Sequence, residues 1–159
     1  MSALEWLEAA SYLVTVVGLP FAIAVFIHDR RRERQSDEEE IFLRLSDEYA
    51  DFMRLVLDNA DLGLLSPETG AGLSAEQSER QRALFALLVA LFERAYVLVY
   101  EDNMSRQQQR LWQSWRDYMT EWCAREDFRA ALPALLHGED PDFVATIERI
   151  AAASGRSAV

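Results

Sequence analysis

The sequence predicts an all-α protein, an N-terminal transmembrane helix followed by a cytosolic bundle of about four to five helices. Residues 9–27, AASYLVTVVGLPFAIAVFI, hold no formal charge across 19 positions. Beyond them, apolar residues recur at spacings of three and four almost to the C-terminus, the period of an amphipathic helix. Ser36 and Ser74 each stand three positions before Glu39 or Gln77, the spacing of a capping box.

The uncharged run comes first. At about 1.5 Å per residue it spans close to the roughly 30 Å of a bilayer's hydrocarbon. Glu5 and Glu8 precede it and HDRRRER, residues 28–34, follows it, so the arginine excess lies on the C-terminal side. The positive-inside rule then puts the body of the chain in the cytoplasm. A cleaved signal peptide would need a basic region before the apolar run, where only acids stand. Ser11, Thr15, Gly18 and Ala22 align along one face of the span and allow another helix to approach closely, while Pro20 bends it nearby. Arg30, Arg31, Arg32 and Arg34 lie where anionic headgroups would be, a membrane-interface collar. This gives an anchor with its collar over 1–34, an acidic helical domain over 35–153 and a flexible tail over 154–159.

A helix begins near Ser36, where Asp37 to Glu40 match the macrodipole, or continues from the membrane. Its apolar stripe is Ile41, Leu45, Tyr49, Phe52 and Val56, ending at about Asn59. A Gly-, Ser- and Pro-containing loop covers 60–74. Ser74 then opens a long helix to about Tyr100, whose segment ALFALLVALF, 83–92, is apolar all round. A second membrane span there would put Glu93 and Arg94 near the bilayer centre at roughly 2.5–3.5 kcal/mol each, so a fully buried core helix is expected, with surface left over for another subunit. Ser105 caps a third helix carrying Trp112, Trp115, Tyr118, Met119 and Trp122 as one aromatic seam, read as core or oligomer interface in preference to a ligand platform. Helical segments follow at 127–136 and 141–153, and the last residues are expected to fray.

Composition narrows the chemistry. The net charge is −11, with 27 acidic residues against 16 arginines and no lysine. Such a body repels phosphate backbones, so no direct nucleic-acid binding is expected. One cysteine and two distant histidines, His28 and His137, cannot form a local metal site. No Glu-x-x-His pair, Gly-rich phosphate loop or nucleophile elbow occurs. Neither a cofactor nor a catalytic residue is predicted, and the chain is read as a non-enzyme. Glu93 is the buried polar candidate, expected to pair with Arg116 or Arg54 as a clamp rather than to handle protons.

The order of anchor, RRRER collar, YADFMRLVLDNADLGL, LFALLVALFERAYVLVY, LWQSWRDYMTEW and DFRAALPALL resembles uncharacterised bacterial single-pass membrane proteins with a helical cytosolic domain. The architecture is also similar to membrane-anchored, HEPN-like accessory proteins of type VI CRISPR systems. That resemblance implies an inner-membrane protein that homo-oligomerises, forming a pore or perturbing the membrane in antiviral defence. The Arg-His nuclease motif is missing, since seven residues separate Arg129 from His137. An accessory subunit bound to a protein partner in a larger membrane complex is the alternative.

Overall fold

A computed structural model describes residues 23, 25–26, 39–66 and 72–157. The chain divides into two compact units, 1–40 and 41–159. The expected collar (Arg30, Arg31, Arg32, Arg34), the small-residue face (Ser11, Thr15, Gly18, Ala22) and the Ser36 cap lie outside the described residues. Of the expected span, Ile23, Val25 and Phe26 are described; they are helical, with exposed apolar side chains. Among the described residues no helix is long and apolar enough to cross a membrane, and that includes the segment around 83–99.

The second unit is all-helical, with no strand among the described residues. Its elements are α1 (helical over the described residues 39–58, of which 41–58 belong to this unit), a 3-10 turn at Ala60–Leu62, α2 (Ala75–Val99), α3 (Arg106–Ala124), α4 (Glu126–Leu135) and α5 (Pro141–Ser157). Ser74 and Ser105 open α2 and α3 with full capping boxes. Each serine hydroxyl accepts the N–H of the residue three positions on, while the Gln77 or Gln108 side chain accepts the serine N–H. Two otherwise orphaned donors are satisfied at each start. The 3-10 turn closes on Gly63, whose φ of 61° is left-handed and suits a residue without Cβ.

The core is built from one stripe of each helix. Leu45, Phe52 and Val56 of α1 meet Phe85, Leu88, Phe92, Ala95 and Val99 of α2. Trp115, Met119, Trp122 and Cys123 of α3, Phe128 and Leu132 of α4, and Phe143 and Ile147 of α5 complete it. Large apolar side chains of this kind contribute roughly 1.5–3 kcal/mol each on full burial. Polar ties fix the helices around this core. Arg94 reaches Glu48 at 2.6 Å and Arg80 reaches Asn59 at 2.8 Å, which sets α1 antiparallel to α2. Arg125 donates to the carbonyls of Leu64 (3.0 Å) and Ser66 (2.7 Å) while pairing with Asp127 at 2.7 Å, stapling the turn after α1 to the α3–α4 junction.

Two expectations are corrected. Segment 83–92 is not buried on every side: Leu88, Val89 and Phe92 face the core, whereas Leu87 is 53% exposed. A five-helix bundle this small cannot surround one of its own members, so half of α2 stays in contact with solvent. The last helix also continues past Ala153 to Ser157. The Ser154 hydroxyl donates to the Ile150 carbonyl and Ile150 packs on the core, which holds the segment expected to fray.

Candidate functional site

The aromatic seam is interior. Trp112, Trp115 and Trp122 are 7%, 2% and 4% exposed. Trp115 meets Tyr49, Phe92 and Tyr118 edge-on, and Trp122 meets Phe52, Phe85 and Phe128. The Trp122 indole N–H donates to the Tyr49 hydroxyl at 3.3 Å. Burial pushes the Tyr49 phenol above its usual range, with the Trp122 hydrogen bond opposing the shift. This geometry makes the seam the joint between α1, α2 and α3: Trp115 is enclosed by its neighbours, while Trp112 and Trp122, nearly as buried, each border a surface cleft.

Glu93 is half-buried, and its partners differ from those expected. Its Oε1 accepts the Asp140 backbone N–H at 2.5 Å. Asp140 in turn accepts the N–H groups of Asp142 and Phe143, both at 3.0 Å, and so caps α5. Glu93 therefore ties the start of α5 to α2. Neither Arg54, which pairs with Asp51, nor Arg116 serves it. The expectation failed because the partner is a main-chain N–H, which no side-chain pattern can reveal. A hydrogen bond with Glu93 holds the neighbouring Glu139 carboxyl above the usual carboxylate range, and burial adds to the shift. Among the described residues no group of three or more His, Cys, Asp or Glu side chains is placed to hold a metal ion.

Cys123 is fully buried, and desolvation pushes its thiol up to about 12. The nucleophilic form is the thiolate, so this cysteine is inert at neutral pH. His137 lies exposed in the α4–α5 loop.

Two surface features remain. The first is the outer face of α2, where Leu87, Val97 and Leu98 are 53%, 60% and 46% exposed and Ala83, Ala86 and Ala90 are also exposed. Arg94 crosses this face to reach Glu48. The cross-links Glu48–Arg94 and Asn59–Arg80 put exposed Leu55 of α1 at about the level of residues 84–87 of α2, so the apolar face extends onto α1.

The second is a cleft of about 620 Å³ between α3 and α5. Trp112, Arg116 and Thr120 line it from α3, at a spacing of four that places them on one helical face. Arg149, Ile150 and Ser154 line it from α5, and Tyr100 closes one end, 5.2 Å from Trp112 between ring centroids. A neighbouring cleft of about 670 Å³ shares Tyr100, Thr146 and Arg149 with it and carries Glu101, Asp102, Asp140 and Asp142. Sequence reading missed both, because the residues come from distant segments and each alone is an ordinary surface side chain. The spacing of Trp112, Arg116 and Thr120 was the available signal.

No protein-family model, curated protein or solved structure matches the chain.

Proposed function

We propose that this is a non-enzymatic, membrane-anchored helical protein that self-associates through the outer face of α2. The carrying observation is that face itself, with Leu87, Val97 and Leu98 about half or more in solvent on a helix whose opposite face supplies Phe85, Leu88, Phe92 and Ala95 to the core. Exposed apolar area is worth roughly 25 cal/mol per Å² when covered, and a contiguous stripe of it marks an interaction surface. A second copy is the occupant that suits it. The stripe carries both members of the Arg94–Glu48 pair, so an isologous contact brings acid toward base in both directions.

The anchor reading rests on the uncharged run 9–27, on the helical, exposed and apolar Ile23, Val25 and Phe26, and on the arginines after it. These support a single-pass protein of a bacterial inner membrane with its helical domain in the cytoplasm and lipid around its N-terminal segment. Ser11, Thr15, Gly18 and Ala22 offer a second contact within the membrane. Membrane perturbation, with a pore in antiviral defence as its specialised form, is the activity that such an assembly would perform.

The test is the mass of the intact protein in several mild detergents and in lipid nanodiscs. A defined homo-oligomer that dissociates in the Leu87→Gln/Val97→Gln double variant, with helicity retained, is expected. Gly18→Leu should weaken association while leaving the cytosolic fold intact. A wild-type monomer in every medium defeats the reading, and a second protein copurifying at fixed stoichiometry replaces it with that of an accessory subunit. Leakage of dye from liposomes bearing the oligomer tests the pore.

A further inference from the structure

We propose that the cleft between α3 and α5 binds a small, singly charged organic anion, a carboxylate carrying a compact aromatic or branched apolar body. Its volume of about 620 Å³ falls within the range of small-molecule sites, roughly 300–1,000 Å³, and it combines an apolar wall with a few polar groups as such sites do. The Trp112 and Tyr100 rings and the Ile150 side chain form the apolar part.

The charged donors available to a ligand are the guanidinium N–H groups of Arg116 and Arg149, beside the Trp112 indole N–H and the Tyr100 hydroxyl. The Thr120 and Ser154 hydroxyls already donate to the carbonyls of Arg116 (2.7 Å) and Ile150 (3.1 Å). The Thr146 hydroxyl accepts from Arg149 Nη2 at 2.9 Å. Arg149 also donates through Nε to the Ala145 carbonyl at 3.2 Å, so two bonds to its own helix fix the plane of the guanidinium. Its Nη1 is left over. Among the described residues no carboxylate lies within ion-pair distance of either Arg149 or Arg116, a condition they share with Arg82, Arg106, Arg110, Arg129 and Arg156; what sets them apart is that they line one cleft from both sides. In a chain with 27 acids to 16 arginines, the cleft brings two arginines together on opposite walls with no acid among its own lining residues. Arginine there suits a planar carboxylate, which it can engage through two N–H groups.

The adjoining cleft sets the selectivity. Glu101, Asp102, Asp140 and Asp142 stand beyond Arg149, so an extended polyanion or a doubly charged phosphate meets repulsion that a compact monoanion avoids. The apolar floor selects against acetate-sized anions, which bury too little surface to offset the cost of ordering.

The probe is 3-phenylpropionate, titrated calorimetrically into the full chain in lipid nanodiscs, with empty nanodiscs as the reference. One saturable site per chain is expected. Loss of one charge-assisted contact corresponds to roughly a tenfold weakening or more. Arg149→Met and Arg116→Met, which keep the aliphatic stem, should each show it, while Arg82→Met, exposed on α2, should bind as wild type does. The neutral isostere 3-phenylpropanamide should bind at least about tenfold more weakly to the wild-type protein, and phenyl phosphate more weakly than the carboxylate. Absence of saturable binding, equal binding of the amide, or unchanged affinity in both arginine variants overturns the proposal. Tighter binding of phenyl phosphate overturns its charge selectivity. Should either variant melt at lower temperature, the amide comparison on the unaltered chain decides, and none of these readouts depends on the oligomeric state.

Discussion

Trp115→Ala tests whether the aromatic seam is the joint of the bundle. The indole is 2% exposed and meets rings from three helices edge-on: Tyr49 of α1 at 5.9 Å, Phe92 of α2 at 6.5 Å and Tyr118 of its own helix at 5.7 Å. Truncating a buried aromatic to alanine costs about 3–5 kcal/mol in lost transfer energy and cavity formation. Edge-to-face pairs are worth about 0.5–1.5 kcal/mol each, and the loss of three together puts the expected cost at the upper end of the truncation range, about 5 kcal/mol. That is a large share of the roughly 5–15 kcal/mol by which a domain is stable. For a domain of this size, each kcal/mol moves the midpoint by about 4 °C, so Tm should fall by roughly 20 °C. The assay is thermal unfolding followed by circular dichroism, with urea titration as a check that the slope m is unchanged. Trp115→Phe, which keeps a ring between α1 and α2, should lose distinctly less. A midpoint within two or three degrees of wild type for the alanine variant would refute the interior placement of the seam.

Three further outcomes are expected. Glu139 carries a carboxyl whose folded-state pKa is raised, so the stability it contributes is complete below the unfolded value near 4.5 and is lost as pH rises through the folded value. Glu139→Gln should therefore melt above wild type at pH 7, with the difference closing as pH falls toward 4.5; a pH-independent difference argues against the Glu93–Glu139 contact. Cys123 should resist iodoacetamide in the folded protein at pH 8 and react fully after denaturation, so topology labels belong on cysteines introduced at Ser2 and Gln113; rapid native-state alkylation would contradict its burial. Arg125→Met removes the cation from Asp127, whose side chain is 19% exposed, and frees the carbonyls of Leu64 and Ser66, at about 3 kcal/mol. Limited proteolysis should then cut after α1, and unchanged resistance there would count against the staple.

What the sequence determined by itself was local. Ser74 and Ser105 start their helices where a hydroxyl three residues before an amide side chain can satisfy orphaned donors, and that chemistry is complete within four residues. The stripe of Leu45, Phe52 and Val56 and the burial of Trp112, Trp115 and Trp122 followed from helical period alone, because those apolar residues alternate with polar ones. In ALFALLVALF the period is silent. Leu87 and Leu88 are the same residue, and only the packing of α1, α3 and α4 against one side of α2 decided that Leu88 is buried and Leu87 exposed. Glu93 was legible as an oddity in an apolar helix, but its partner is a backbone N–H 47 positions away, which any residue other than proline would supply. The pairing of Arg116 with Arg149 across one cleft likewise exists only once α3 and α5 lie side by side. Helix starts and core faces depend on neighbours within a turn or two of the chain, whereas the exposed face of α2, the Glu93 tie and the cleft depend on which distant surfaces meet, and only the tertiary structure fixes that.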